Sequence, residues 1–141
     1  MATKTTVVKN IKGVTFIGKA DSNHWVTMDG PEEFGGGNAG TRPKELILLA
    51  LGGCTGSDVA VILAKKKIKY DDFEMNITAE SSDTHPQIYT KINIEYVITG
   101  KAIPKEAVER AIELSQKTYC SVTAMLQKAV EITHSYKIIE A

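Results

Sequence analysis

The sequence predicts an α+β protein that assembles as a homodimer around one long, buried helix. That helix, over residues 42–67, carries leucine, alanine and valine on all its faces, so protein has to enclose it on every side. Apolar and polar residues alternate at 73–80 and 92–98, which predicts strands that can cover it. A chain of 141 residues fits one domain, 1–141, and a second copy would complete the cover.

Three short strands are predicted at the start of the chain. Residues 3–12, 14–19 and 25–28 are rich in β-branched side chains, and Gly13 separates the first two runs. We expect them to form a three-stranded antiparallel meander. The glycine-rich segment 29–41 follows, and we expect it to be a flexible connection into the long helix.

The long helix has recognisable signals at both ends. Pro43 suits the first helical turn, Thr41 is a plausible cap before it, and lysines at 65–67 end the helix where its dipole favours cations. Glycines within 52–56 each cost about 1 kcal/mol relative to alanine, so we expect another backbone to approach closely there. These glycines and Asp58 also argue against a membrane span, as does the lack of a second such segment.

A hairpin, two helices and a last strand are predicted in the rest of the chain. The period-two pattern within 73–98 lies on both sides of turn residues at 81–87, which predicts a long antiparallel hairpin. An amphipathic helix is expected over 104–117 because proline opens it and lysine ends it. A short helix over 121–128, capped by its serine, and a last strand over 131–139 complete the prediction.

Charge and composition argue against several kinds of partner. Basic and acidic residues number 17 each, so no general field attracts nucleic acid or an anionic membrane. The run GGGNAG at 35–40 matches a dinucleotide-binding fingerprint, but no strand leads directly into it and no repeated βαβ unit surrounds it. The cysteines and histidines include no close pair of metal ligands. We therefore expect no cofactor and no metal.

Two cysteines are the strongest chemical signal in the chain. Cys54 lies inside the glycine-interrupted helix, and Cys120 lies at a helix start, where the dipole stabilises a thiolate. No secretory leader is recognised, which indicates the reducing cytoplasm, where paired thiols are more often reactive than structural. The alternative is two inert thiols that pack as small apolar groups.

Two stretches of the chain resemble a known family. GTRPKELILLALGGCTGSDVAVILAKKK, which contains Cys54, and TYCSVTAML, which contains Cys120, are similar to the OsmC/Ohr superfamily of osmotically inducible and organic-hydroperoxide-resistance proteins, in particular to its YhfA-like branch. The resemblance implies an intertwined homodimer with the cysteine helices at its centre and β-sheets packed around them. This agrees with the enclosure that the long apolar helix requires.

The resemblance also implies a peroxiredoxin-like activity in the oxidative stress response. In the family one cysteine attacks an organic hydroperoxide and becomes a sulfenic acid, the second condenses with it to a disulfide, and an external dithiol, such as a lipoyl group, reduces that disulfide. By resemblance, Cys54 is peroxidatic and Cys120 resolving. The rival interpretation is a non-catalytic dimer that binds a small apolar ligand. Both use an apolar pocket, which we expect to be lined by Leu49, Leu51 and parts of the hairpin.

Three positions differ from the family's pattern. Segment 12–23 has lysines where peroxidase members carry an activating arginine, Lys44 stands at the position of their catalytic glutamate, and Ser121 follows the second cysteine where proline is usual. Arg42 and Glu45 are the nearby charged pair that could replace the missing groups. Glu45 is nine residues from the first cysteine, about 14 Å along a helix, so the pair would have to act from a partner chain or through a backbone turn. The alternative for both is a solvated helix start.

Overall fold

The chain contains both strands and helices, in the predicted α+β architecture. The structure is a computed structural model that describes residues 1–141. Its two compact units are Met1–Leu48 and Leu49–Ala141. The elements in chain order are β1 (Val7–Lys12), β2 (Thr15–Lys19), β3 (Val26–Met28), a 3₁₀ turn (Glu32–Phe34), α1 (Pro43–Lys65), β4 (Asp72–Ser81), β5 (Tyr89–Gly100), α2 (Lys105–Leu114), a π-helical turn (Ser115–Tyr119), α3 (Ser121–Leu126) and β6 (Glu131–Glu140).

The first unit is built on the predicted antiparallel meander. Strand β2 pairs with β1 on one side and with β3 on the other, with Val7 opposite Lys19 and Phe16 opposite Met28. Gly13 makes the β1–β2 turn with a φ of +54°. A Cβ atom at this position would lie 2.6 Å from a backbone carbonyl oxygen. Glycine is therefore required at this turn by both conformation and space.

The glycine-rich loop after β3 closes around one buried carboxylate. Asp29 accepts hydrogen bonds from the backbone N–H groups of Gly30 at 2.7 Å, Ala39 at 3.0 Å and Gly37 at 3.1 Å. Hydrogen bonding, led by the Ala39 amide, holds the pKa of Asp29 below its usual value against the opposing effect of burial. Hydrogen bonds thus join the end of the loop to its first residue, and the loop is not the flexible connection expected. These bonds also occupy amides that a nucleotide phosphate would need.

The start of α1 is capped by Glu45 and not by Thr41. The Glu45 carboxylate accepts from the backbone N–H of Arg42 at 2.8 Å, and the Arg42 carbonyl accepts from the N–H of Leu46 at 3.3 Å. Arg42 is thus the cap residue, and Glu45 supplies half of a capping box. Thr41 lies one residue too early for this role and forms a β-bridge with Met28.

The second unit contains a three-stranded sheet in the order β4-β5-β6. Strands β4 and β5 form the predicted hairpin, with Ile77 opposite Ile94. Strand β6 then pairs with β5 in parallel, starting with Glu131 opposite Lys91. The sequence indicated this last strand but not its partner. The side chains that the alternating pattern placed in the core are fully buried in β5, namely Ile92, Ile94, Tyr96 and Ile98.

Helix α1 packs one face against β4. A Cβ atom at Gly52 would lie 2.8 Å from the end of the Ile77 side chain, and one at Gly56 would lie 2.6 Å from the end of the Met75 side chain. Both glycines thus make room for side chains of β4 and not for the backbone that was expected, and a Cβ atom at Gly53 would meet nothing within 4 Å. By length and composition α1 is the one helix that could cross a membrane, and 33% of its apolar window is buried. Its opposite face stays open in the single chain.

Helix α2 is amphipathic as predicted and leads into an irregular turn before the second cysteine. Its buried residues are Ala107, Val108, Ala111 and Ile112. The π-helical turn continues α2, and at Cys120 the backbone becomes extended (φ −74°, ψ 102°) before α3 begins. Cys120, and not Ser121, is therefore the cap of α3. Turns of the π type are rare and are frequent at functional sites.

Candidate active site

The structure brings the two cysteines together in the second unit. Cys54 is half-buried on α1, and Cys120 is buried between the π-helical turn and α3. Each thiol influences the pKa of the other, as neighbouring groups do. The Cys54 Sγ atom also lies 3.9 Å from the hydroxyl oxygen of Ser121. A nucleophile and a second thiol thus share one site, as two-cysteine chemistry requires.

The surroundings of Cys54 favour its thiolate. Burial raises the pKa of Cys54, but hydrogen bonds from the Val122 amide, the Cys120 thiol and the Ser121 hydroxyl outweigh it, and the pKa lies below its ordinary value. The carboxylate of Asp58 acts in the opposite direction. Because the thiolate is the reactive form of a cysteine, this direction agrees with the prediction that Cys54 is the more reactive of the two thiols.

The surroundings of Cys120 favour its neutral thiol form. Its sulfur caps α3 and accepts a hydrogen bond from the backbone N–H of Thr123 at 3.3 Å. Burial nevertheless raises the pKa of Cys120, and the neighbouring Cys54 sulfur adds to the rise, although the Thr123 groups oppose it. The sequence-based expectation that the helix start makes Cys120 a thiolate is therefore wrong, because burial and the neighbouring thiol outweigh one short helix. A protonated thiol suits a resolving cysteine that waits for a sulfenic acid.

A buried polar network lies next to the thiols and joins three elements. The hydroxyl of Thr55 on α1 lies 2.7 Å from the Tyr96 hydroxyl on β5 and 2.7 Å from the Ser115 hydroxyl on the π-helical turn. Gln116 donates from Nε2 to Tyr96 at 2.8 Å and to Thr55 at 3.1 Å. Ser115 donates to the Asp58 carboxylate at 2.9 Å. Burial raises the pKa of Tyr96, which therefore remains a neutral partner in this network.

This network positions both cysteines, and the sequence analysis missed it. Thr55 follows Cys54 directly, while Ser115 and Gln116 lie in the turn that leads to Cys120. The bonds between them therefore set where the two thiols lie relative to each other. The available signal was a run of polar residues on an otherwise apolar helix face. Only the fold shows that these residues meet.

Arg42 and Glu45 make local contacts in the first unit. The Arg42 guanidinium donates to the Asn38 side-chain oxygen at 2.7 Å and to the Gly40 carbonyl at 3.3 Å, so it fixes the end of the glycine-rich loop. Glu45 caps α1 as described above. Both residues thus have structural roles, and an activating role for either one stays a prediction.

A groove runs along α1 beside the thiol site. Its volume is 480 Å³, within the range of small-molecule sites. Its wall is apolar with charges at the margins, and its lining consists of Ser57, Asp58, Val61, Ile62, Lys65, Lys66, Leu114 and Tyr119. Neither leucine of the expected pocket borders this groove, since Leu51 is fully buried and Leu49 is 60% exposed elsewhere on α1, and the pocket expected at these leucines stays a prediction. No group of three or more metal-ligating side chains is placed to hold a metal ion.

Comparisons with known proteins agree with this geometry. A family model described as OsmC-like protein matches residues 35–135. Protein YhfA of Escherichia coli strain K12 is 41% identical over 134 residues, which cover 95% of this chain and 97% of that protein. A hypothetical protein from Aquifex aeolicus VF5 has a TM-score of 0.86 and 30% identity, and the match covers 100% of this chain and 99% of that chain.

Structures named for hydroperoxide resistance share the fold at lower identity. An organic hydroperoxide resistance protein OsmC from Legionella pneumophila has a TM-score of 0.70 and 15% identity, with 97% of this chain and 98% of that chain covered. At this identity the likeness concerns the fold alone. The family match and the identity to YhfA carry the assignment. The chain therefore belongs to the family of OsmC-like proteins, and it is similar to YhfA over nearly its whole length.

Proposed function

We propose that this protein is a thiol-dependent peroxidase that reduces organic hydroperoxides through Cys54 and Cys120 in the oxidative stress response of the cytoplasm. The observation that carries the proposal is the asymmetry of the thiol pair. Cys54 has a lowered pKa and Cys120 a raised one, although the two are in contact. Some structures with the same fold are named organic hydroperoxide resistance proteins, which supports the substrate class.

The proposed reaction balances without a metal or an organic cofactor. The Cys54 thiolate attacks the terminal oxygen of R–O–O–H, an S–O bond forms, the O–O bond breaks, and the leaving alkoxide takes up the proton that the thiol lost. Cys54 is then a sulfenic acid. The Cys120 sulfur attacks the Cys54 sulfur, water leaves, and a disulfide forms. An external dithiol, which we propose to be of the lipoyl type, reduces the disulfide and restores both thiols.

The open face of α1 supports a homodimer as the working form. Leu49 is 60% and Val61 is 53% exposed in the single chain. Gly53 and Ser57 lie between them on the same exposed face, at four-residue spacing. A Cβ atom at Gly53 would meet nothing within 4 Å, so the lack of a side chain there serves no close contact inside the chain. Small residues flanked by apolar ones allow a second helix to approach closely, and the second copy of α1 is the proposed occupant.

Arg42 and Glu45 remain in the proposal as replacements for the arginine and glutamate of peroxidase members. A partner chain is the proposed route by which they would reach a cysteine. Arg42→Ala should then raise the pKa of Cys54 and slow the peroxidase. An unchanged alkylation profile and an unchanged rate would remove Arg42 from the site and leave its loop contacts as its role.

A non-catalytic dimer that binds a small apolar ligand is the second candidate. The apolar groove beside the thiols favours it, because such a groove can hold a ligand without any reaction. In that case the cysteines would be structural. The two candidates differ in whether Cys54 is oxidised and reduced again in repeated catalytic cycles.

Turnover of cumene hydroperoxide with a dithiol reductant separates the two candidates. The wild type should consume the hydroperoxide much faster than Cys54→Ser, and Cys120→Ser should complete one turnover without forming an intramolecular disulfide. Hydrogen peroxide serves as the comparison substrate and should react more slowly. A wild type no faster than Cys54→Ser would reject the peroxidase and favour the binding protein.

A further inference from the structure

The contact that Ser121 makes with the reactive sulfur is not explained by the function as described so far. Its hydroxyl oxygen lies 3.9 Å from the Cys54 Sγ atom, across 67 positions of sequence. Ser121 is exposed, whereas Cys54 is half-buried and Cys120 buried. The hydroxyl therefore stands at the open side of the thiol pair, where a hydroperoxide would arrive.

The groups around Cys54 indicate that hydrogen-bond donors stabilise its thiolate. The three groups that lower the pKa of Cys54 are all uncharged: the Val122 amide, the Cys120 thiol and the Ser121 hydroxyl. Within the chain, the charge of Asp58 acts in the opposite direction and raises the pKa. A thiolate at this position is therefore stabilised within its own chain by hydrogen bonds.

We propose that Ser121 is a catalytic residue whose hydroxyl donates a hydrogen bond to the Cys54 thiolate. The role rests on the peroxidase function proposed above. A length of 3.9 Å is within reach of an oxygen–sulfur bond, and catalytic hydrogen bonds are often longer in the free enzyme than in the reacting complex. Hydrogen bonds to charged groups are about twice as strong as neutral ones, so the bond strengthens once the thiol ionises.

The proton balance of the attack is unchanged by this role. The serine hydroxyl stays neutral and keeps its own proton while it donates to the sulfur. The proton lost by the Cys54 thiol ends on the alkoxide released from the hydroperoxide, which leaves as an alcohol. Ser121 thus lowers the free energy of forming the thiolate and is itself unchanged by the reaction.

The backbone at this position offers a well-matched set of variants. Ser121 is the first residue of α3, a position that accepts proline, and Cys120 before it already has the extended backbone that proline requires. Ser121→Ala and Ser121→Pro both delete the donor, and they do so with different backbone consequences. Ser121→Thr retains it. Ser82→Ala is the matched control, because it deletes a hydroxyl that bonds backbone carbonyls in the β4–β5 turn.

The first measurement is the pH dependence of Cys54 alkylation by iodoacetamide, read by peptide mass spectrometry. The midpoint should move to higher pH in Ser121→Ala and Ser121→Pro and should return in Ser121→Thr, with no change in Ser82→Ala. The second measurement is the single-turnover rate with cumene hydroperoxide at pH 7. It should fall about tenfold in the two deletion variants, the scale of one hydrogen bond to a charged group.

The outcomes separate this proposal from the peroxidase function. If both deletion variants keep the wild-type alkylation profile, the Ser121 role is overturned even if the wild type is a fast peroxidase. If the profile shifts but the wild type is no faster than Cys54→Ser, the peroxidase function is overturned, and the catalytic role goes with it. If the midpoint of Cys54 alkylation moves in Ser121→Ala but not in Ser121→Pro, the loss of the hydroxyl is not its cause. The effect is then assigned to side-chain packing, and the proposal is overturned.

Discussion

Two chemically identical thiols shift in opposite directions because hydrogen bonds outweigh burial at Cys54 and burial outweighs them at Cys120. Cys54 receives an amide and two side-chain donors, so the pKa of Cys54 falls although burial opposes this. Burial dominates at Cys120, and the adjacent Cys54 sulfur raises the pKa of Cys120 further. The direction of these shifts supports the proposal that the nucleophile lies on α1 and the resolving thiol at the start of α3.

Alkylation should therefore modify Cys54 before Cys120 at every pH between 6 and 9. The reagent reacts with thiolates, so the rate at each cysteine follows its own ionisation. Peptide mass spectrometry after short exposures to iodoacetamide measures both rates in one sample. Unfolding in urea is the control and should make the two rates similar. Faster modification of Cys120 in the folded protein would contradict the assignment.

Asp29 should stabilise the first unit in a pH-dependent way. The pKa of Asp29 is lower in the folded state, mainly through its bond from the Ala39 amide, so its contribution is present above the unfolded carboxyl value of about 3.9 and is lost as pH falls through the folded value. Asp29→Asn should then be less stable than wild type at pH 7, and the difference should shrink on acidification. Thermal unfolding across this range measures it. The exposed Asp21→Asn is the control, and an equal loss there would argue against the loop bonds.

Residue types and their spacing predicted the local features of the site but not its long-range contacts. Cys54 on a glycine-interrupted helix and Cys120 at a helix start follow from local patterns. The contact between Ser121 and Cys54 joins residues 67 apart, and the closure of the loop on Asp29 depends on which backbone amides converge. Such pairings follow from packing, which the order of residues alone does not determine.

At the scale of elements, the polar network joins α1, β5 and the π-helical turn beneath the thiols. Thr55 lies at its centre, with three partners within 3.1 Å. The strands and helices that it joins were predictable from their periodicity. The parallel pairing of β6 with β5 was not, because the pattern of a half-buried strand is the same for either direction.

Thr55→Val should destabilise the protein by about 1–3 kcal/mol, because it leaves buried partners without their hydrogen bonds while keeping the shape of the side chain. Urea unfolding measures the change. Ser82→Ala is the control, since its hydroxyl bonds backbone carbonyls in the β4–β5 turn, outside the α1 face of the proposed dimer, and the expected change is within about 0.5 kcal/mol. Equal losses in the two variants would mean that the buried network contributes nothing beyond an ordinary turn hydroxyl.

At the scale of the whole molecule, the uniform apolarity of α1 is only half explained by one chain. One face packs on β4, and the face with Leu49, Gly53 and Val61 stays open. The sequence predicted enclosure on all sides, and the proposed homodimer would supply it. The same pattern also makes α1 long and apolar enough for a membrane, but family membership identifies it as a core helix.

Gly53→Leu should convert the proposed dimer into monomers, because a large side chain would hold the second helix away. Light scattering at micromolar concentration measures the mass of wild type and variant. Arg110→Leu adds the same side chain to the exposed face of α2 and should leave the dimer intact. A wild type that is already monomeric, with α1 protected from hydrogen exchange, would contradict the dimer.

The central claim is that Cys54 and Cys120 form one redox pair within a chain. Intact and peptide mass spectrometry after one equivalent of cumene hydroperoxide tests it most directly. The account predicts the loss of two hydrogen atoms per chain and a Cys54–Cys120 linked peptide, with a trapped sulfenic acid at Cys54 in Cys120→Ser. Cysteines that remain reduced, or that each reach the sulfonic acid without any linked peptide, would contradict it.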